Sequence, residues 1–193
     1  VTTKKAAKTA SVKTTKTKAA KAKKTAPKMT ETPMTLPNAK VAVGQKVPEF
    51  TLPATGGQSV SLQALAGKKT VLFFYPKDAT PGCTMEGQDF TRLKGDFTAE
   101  NVEVFGVSRD SMSSHENFKT KQNYTVELIS DSDETLCSDF GVIKLKNMYG
   151  KQVRGIERST FLLDESGVLL KEWRGVSVPG HAEEVLQFVK SNK

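Results

Sequence analysis

The sequence is poor in the residues that build disulfide frameworks and metal sites. Its 193 residues include two cysteines, which lie far apart, and two histidines, His115 and His181. Distant cysteines exclude a disulfide scaffold, and because the chain has no C-x-x-C pair, a disulfide reductase is disfavoured. The histidines lack the spacing of metal ligands, so we expect neither a metal site nor a Cys–His protease pair.

Long hydrophobic runs are also missing. No apolar segment has the length of a membrane span, and no apolar core follows the N-terminal lysines as it does in a secretory signal. The sequence therefore predicts no membrane association. It also shows no glycine-rich phosphate loop, no dinucleotide fingerprint and no internal repeat, which are the marks of nucleotide-binding and repeat proteins.

Acidic residues are nearly absent from the start of the chain, and this absence divides the sequence. Residues 1–40 carry eleven lysines against one acid, Glu31, and so a formal charge of +10; the whole chain carries +8, which leaves −2 for residues 41–193. The first segment is built from Lys, Ala and Thr and has no aromatic residue. Because it cannot bury enough apolar surface to offset chain entropy, we predict a disordered tail over 1–40 and a folded domain over 41–193.

The basic tail, residues 1–40, has three interpretations that the sequence leaves open. Its composition resembles the tails of linker histones and of lysine- and alanine-rich bacterial histone-like proteins, which contact nucleic-acid phosphates without reading sequence. It also fits a targeting segment, since residues 21–24 match a nuclear import patch, although the lack of arginine argues against a transit peptide. The third interpretation is an extension with no specific role.

Patterning in the domain predicts an α/β fold, in which strands alternate with helices before a closing hairpin and a last helix. This order indicates a sheet covered on both faces. The predicted strands are residues 49–52, 59–62, 70–75, 102–107, 126–129, 160–163 and 168–172, and the predicted helices are 84–97, one begun by a capping box at 113–116, 134–140 and 181–190.

The residues around Cys83 carry the strongest chemical signal. They follow a hydrophobic strand at residues 70–75 and precede a helix whose Phe90, Leu93 and Phe97 share one face. Cys83 is thereby predicted in the first turn of a helix, where free N–H groups and the helix dipole favour a thiolate. A thiolate is nucleophilic, so this is a position for covalent chemistry. The alternative is a buried, inert cysteine.

Residues 76–83, PKDATPGC, match the peroxiredoxin signature P-x-x-x-T-x-x-C, and TPGCTxE at 80–86 resembles the peroxiredoxin Q (bacterioferritin comigratory protein) branch. The resemblance extends from about residue 43 to the C-terminus through SSHENF (113–118), LISD (128–131), FGV (140–142) and RSTFLLD (158–164). It implies a thioredoxin-like fold and a peroxidase that needs no metal or organic cofactor.

The resemblance assigns roles to individual residues. Cys83 matches the peroxidatic nucleophile, and Thr80 and Arg158 match the residues that contact the thiolate and the peroxide. Pro76 matches the proline that shapes the loop and keeps water from the pocket. Glu86 matches the acid found three residues after the cysteine in many peroxiredoxins, although capping of the first helical turn is an equal alternative. His115 is assigned a structural role.

One position departs from the family pattern. Many members of the branch carry a resolving cysteine five residues after the first, where this chain has Gln88. Cys137 is the internal substitute, but its apolar neighbours favour a buried core cysteine. The alternative is a one-cysteine cycle in which thioredoxin, glutaredoxin or glutathione reduces the sulfenic acid.

We therefore expect a thiol peroxidase acting on hydrogen peroxide and organic hydroperoxides. The resemblance implies a monomer, and a thiol that must be recycled fits the cytoplasm, with nucleoid association if the tail binds DNA; a nuclear location is the alternative. The competing function is a nucleic-acid-associated protein in which the tail carries the main role.

Overall fold

The computed structural model describes residues 39–148 and 150–192. Almost all of the basic tail lies outside the described residues, so its predicted disorder and the domain boundary at 40/41 stay predictions. Within the described part of the chain, no helix combines the length and the apolar character needed to cross a membrane.

Among the described residues, seven strands form a mixed central sheet and two more form a separate hairpin. The sheet has the spatial order β2-β1-β5-β4-β3-β8-β9, in which β3, β4 and β5 are parallel and the other neighbours pair antiparallel. The strands are β1 (Thr51–Ala54), β2 (Gln58–Ser61), β3 (Lys69–Phe74), β4 (Val102–Ser108), β5 (Glu127–Ser130), β6 (Ile143–Met148), β7 (Lys151–Ile156), β8 (Ser159–Leu163) and β9 (Leu169–Arg174), with β6 and β7 in the hairpin.

In the part of the chain that the structure describes, four helices cover the sheet: α1 (Pro81–Ala99), α2 (Met112–Gln122), α3 (Thr135–Asp139) and α4 (His181–Ser191). Side chains of β3 alternate between two buried clusters, because successive residues of a strand point to opposite faces. Val71 and Phe73 join the cluster that holds Cys83 and the apolar faces of α1 and α4, whereas Leu72 and Phe74 join the cluster that holds Cys137. The two cysteines therefore lie in cores on opposite faces of the sheet.

The pairing of β3 with β8 brings the residues around Cys83 close to Arg158. The two strands are antiparallel, and Phe74, at the end of β3, is paired with Ser159, at the start of β8. The loop that leaves β3 toward α1 consequently lies beside Arg158, the residue that precedes β8. A contact between residues 75 positions apart thus follows from one strand pairing.

Most predicted elements are present, but two details were wrong. The hairpin formed by β6 and β7 was not predicted. The capping box at 113–116 is not formed: the N-cap of α2 is Ser111, whose hydroxyl accepts from the Ser114 N–H at 3.3 Å, and Glu116 instead accepts from the N–H of Gly56 at 2.7 Å. A serine two residues earlier satisfies the free N–H group of the first turn.

Candidate active site

Cys83 lies in the first turn of α1, as the sequence predicts. Pro81 opens the helix, where its missing N–H costs no helical hydrogen bond, and Thr80 occupies the N-cap with an extended backbone. The thiol is buried, with 2 % of Cys83 exposed. The positive end of the α1 dipole therefore acts on Cys83 with little screening by water.

The Arg158 guanidinium joins Cys83 to Glu86. Its Nη2 donates to Cys83 Sγ at 3.3 Å, and its Nη1 donates to Glu86 Oε2. Burial opposes the charge of Arg158, but Glu86 and the Cys83 sulfur hold its pKa above the ordinary value. The planar fork of donors thus contacts two acceptors at once, a geometry that the single ammonium of lysine does not offer.

Glu86 is a buried carboxyl group, with 1 % of the residue exposed. Burial raises its pKa from 4.5 to about 7, although Arg158 acts in the opposite direction. Its Oε1 is buried and has no hydrogen-bond partner within residues 39–148 and 150–192. The alternative prediction of first-turn capping was wrong, because Glu86 lies beyond the first turn of α1 and pairs with Arg158 instead.

Pro76 and Thr80 lie in the loop between β3 and α1, next to Cys83 along the chain. Pro76 is half-buried. The Thr80 hydroxyl donates to the Lys77 carbonyl at 3.1 Å and is not the side-chain cap of α1. The backbone of Thr80 thus lies at the start of α1, while its hydroxyl forms a hydrogen bond within the loop.

Cys137, the second cysteine, lies in a different core from Cys83. Cys137 lies in α3 and is fully buried, and burial together with the Asp131 carboxylate raises the pKa of its thiol well above the ordinary value. Gln88 lies on an exposed part of α1, where its amide donates to Gln122 of α2 at 3.3 Å. Gln88 thus bonds to α2, and Cys137 packs in a different core from Cys83.

Sequence reasoning missed a polar network beside the site. Asp78, in the loop before α1, is buried and accepts hydrogen bonds from Tyr75 at 2.8 Å and Ser114 at 2.7 Å, and its carboxylate lies 2.9 Å from His115 Nδ1. Burial alone would raise the pKa of Asp78, but the hydrogen bond and charge of His115 lower it. The SSHENF stretch contained a signal, because it supplies both Ser114 and His115.

Comparison with known proteins identifies the family. The model of the AhpC/TSA family matches residues 43–171. Peroxiredoxin Bcp of Xanthomonas campestris is 49% identical over 164 residues, which cover 85% of this chain and 98% of the relative. Peroxiredoxin Bcp of Bacillus subtilis is 45% identical over 150 residues, which cover 78% of this chain and 96% of that protein.

Solved structures agree with these sequence matches. Peroxiredoxin Q of Xanthomonas campestris superposes with a TM-score of 0.72 at 52% identity, over 74% of this chain and 90% of that one. A Xylella fastidiosa PrxQ mutant gives a TM-score of 0.75 at 44% identity, over 78% and 96%. The chain therefore has the predicted thioredoxin-like fold and belongs to the AhpC/TSA family, within the peroxiredoxin Bcp and PrxQ group of thiol-dependent peroxidases.

Proposed function

We propose that Cys83 is the peroxidatic residue of this peroxidase and that Arg158, Thr80 and Pro76 form its pocket. The contact of Arg158 with Cys83 Sγ at a helix N-terminus is the observation that carries this assignment. The Arg158 guanidinium and the N-terminus of α1 both favour the thiolate, the nucleophilic form of a cysteine. The same guanidinium then faces the oxygen on which negative charge develops.

The reaction follows from these positions. The Cys83 thiolate attacks one peroxide oxygen, an S–O bond forms and the O–O bond breaks. Sulfur is oxidised to a sulfenic acid, and the peroxide is reduced. The departing oxygen takes up a proton and leaves as water from hydrogen peroxide, or as an alcohol from an organic hydroperoxide. For the Xanthomonas campestris protein, a structural study describes alkyl peroxide reduction, which supports including organic hydroperoxides here.

We assign the resolving step to an external thiol, so that the catalytic cycle uses one cysteine of this chain. Gln88 stands at the position of the commonest resolving cysteine, and Cys137 lies in the core on the opposite face of the sheet. Joining Cys83 to Cys137 would require the sheet between them to open. Because Cys83 is buried, the first turn of α1 must unwind locally before thioredoxin, glutaredoxin or glutathione can reach the sulfenic acid.

A peroxide-consumption assay with each reductant in turn tests this proposal. We expect Cys83→Ser to abolish turnover, and Cys137→Ser to keep it when the reductant is supplied. Turnover by Cys83→Ser at the wild-type rate would overturn the assignment of the nucleophile. Loss of turnover in a folded Cys137→Ser protein would assign the resolving step to Cys137 instead.

The charge of +10 on residues 1–40 supports a second, separate role in contacting nucleic acid, which would hold the peroxidase near DNA. On this proposal the protein works as a monomer in the cytoplasm, at the nucleoid. Deleting residues 1–40 should abolish salt-dependent binding to duplex DNA and leave peroxide turnover unchanged. Equal DNA binding with and without the tail would remove this role.

A further inference from the structure

The loop that leads from β3 into α1 needs an anchor. It contains Pro76 and Thr80 and ends at the turn that carries Cys83. Its Ala79 has a backbone φ of +57°, a left-handed conformation that non-glycine residues rarely adopt. Such a conformation persists when the surrounding structure holds it in place, and it is common at functional sites.

Asp78, next to Ala79, supplies that anchor. Its carboxylate accepts from Tyr75 and Ser114 and pairs with His115, while its own N–H donates to Asp110 Oδ2 at 2.9 Å. Asp110 is held in turn by the Ser108 hydroxyl at 2.7 Å. The loop is thereby tied to the end of β4 and to the first turns of α2.

His115 is completely buried between two oxygen acceptors. Its Nδ1 lies 2.9 Å from Asp78 Oδ2, and its Nε2 lies 3.2 Å from the carbonyl oxygen of Ile129 in β5. A backbone carbonyl accepts and never donates, and Asp78 already accepts from two hydroxyl groups. The Asp78 carboxylate and the Ile129 carbonyl therefore hold the His115 ring from both of its nitrogens.

A buried contact between titratable groups is a poor source of stability, because the cost of desolvating them offsets much of their attraction. Its value lies in geometry, since charged hydrogen bonds hold their partners in one arrangement. Here the fixed arrangement is the start of α1. A Cβ atom at Gly82 would lie 3.3 Å from Arg158 Nη2, so a small shift of this turn would alter the contact between Arg158 and Cys83.

We propose that the Asp78–His115 pair is a positioning device of the peroxidase site, with His115 and Ser114 of α2 acting on Cys83 through the loop. The inference rests on the proposed function. Loss of the anchor lets the loop relax and misaligns Cys83, Thr80 and Arg158, which must meet the peroxide together. Alkylation of the Cys83 thiolate needs no such alignment, so its rate constant should fall less than that of oxidation by peroxide.

Two second-order rate constants of Cys83, measured on the full chain at one pH, test the inference. One is for oxidation by hydrogen peroxide, and the other is for alkylation by iodoacetamide. Peroxide cleavage needs Arg158 and Thr80 in place, whereas alkylation needs only an accessible thiolate. The ratio of the two constants therefore reports alignment separately from folding and from thiolate formation.

The variants are His115→Gln and Ser114→Ala, with Ser113→Ala as the matched control on an exposed position of the same helix. We expect the ratio to fall at least about tenfold in His115→Gln and about threefold in Ser114→Ala, with Ser113→Ala unchanged. Ser114→Ala decides alone if His115→Gln does not fold, because it leaves the contact between Asp78 and His115 intact.

The outcomes separate this inference from the function on which it rests. A wild-type Cys83 that reacts with peroxide no faster than free cysteine would overturn both. A fast wild type, together with ratios in His115→Gln and Ser114→Ala equal to that of Ser113→Ala, would overturn the inference alone and leave Asp78 and His115 with a structural role.

Discussion

The guanidinium of Arg158 donates hydrogen bonds to two acidic groups, the sulfur of Cys83 and the carboxyl of Glu86. The two acids lie one helical turn apart on α1 and are both buried, so ionising one makes ionising the other less favourable. Burial keeps Glu86 largely neutral below about pH 7. In the proposed mechanism, the positive charge of Arg158 is then available to the Cys83 thiolate and to the peroxide.

The first prediction concerns the fork of Arg158. Arg158→Lys keeps the charge and removes one of the two directed donors, so the rate constant for peroxide should fall by roughly 10²-fold. Stopped-flow oxidation of the reduced protein by hydrogen peroxide measures this rate constant. Arg174→Lys, which changes a cation of β9 that packs on the Phe161 ring, is the control and should change the rate little. Equal rates in Arg158→Lys and wild type would contradict a catalytic role for Arg158.

The second prediction concerns Glu86 and pH. Its pKa in the folded protein, about 7, lies above the ordinary 4.5, so the neutral form is favoured by folding. This contribution to the free energy of unfolding is complete below pH 4.5 and is lost as pH rises through 7, and it amounts to roughly 3 kcal/mol. Glu86→Gln lacks it, because glutamine does not ionise.

Urea unfolding of both proteins at pH 5 and pH 8 checks this expectation. The stability of the wild type relative to Glu86→Gln should decrease between the two pH values. Parallel pH profiles for the two proteins would show that Glu86 does not titrate in this range.

Elements differ in how well the sequence predicts them. Helix α1 and the place of Cys83 follow from local signals: Pro81 at the helix start and apolar residues spaced on one face. The contact with Arg158 depends on the pairing of β3 with β8, which no local pattern encodes. The family resemblance supplied it. The hairpin of β6 and β7 was missed although its apolar and polar residues partly alternate, because four basic residues lower its hydrophobicity.

Tight packing between α1 and Tyr124 gives the third prediction. A Cβ atom at Gly87 would lie 2.5 Å from the Tyr124 ring, and Tyr124 donates a hydrogen bond to the Thr84 carbonyl in the same helix. Gly87→Ala should therefore destabilise the protein by about 1–3 kcal/mol. Gly95→Ala is the matched control, since a Cβ there meets nothing within 4 Å.

The two glycines lie in the same helix, so their substitution by alanine has the same effect on helix propensity. Gly95→Ala should stabilise the protein by up to about 1 kcal/mol. Chemical denaturation of both variants gives the comparison. If the free energy of unfolding changed in the same direction in both variants, close packing at Gly87 would be contradicted.

At the scale of the whole molecule, the central sheet lies between the two cysteines, and the basic N-terminal segment is distinct from the nearly neutral domain. Cys83 and Cys137 belong to different buried clusters, and the net positive charge belongs to residues 1–40, which carry +10 against −2 for residues 41–193. The first separation favours reduction by an external thiol. The second is consistent with the proposed contact of residues 1–40 with nucleic acid, in a segment remote in sequence from Cys83.

The most direct test of the account is the intact mass of reduced protein after one equivalent of hydrogen peroxide, for wild type, Cys83→Ser and Cys137→Ser. We expect wild type and Cys137→Ser to gain one oxygen atom, the sulfenic acid, and Cys83→Ser to stay unchanged. Loss of two hydrogens in the wild-type monomer would instead show a Cys83–Cys137 disulfide and contradict the one-cysteine cycle. An equal gain of oxygen by Cys83→Ser would contradict the peroxidatic role of Cys83 itself.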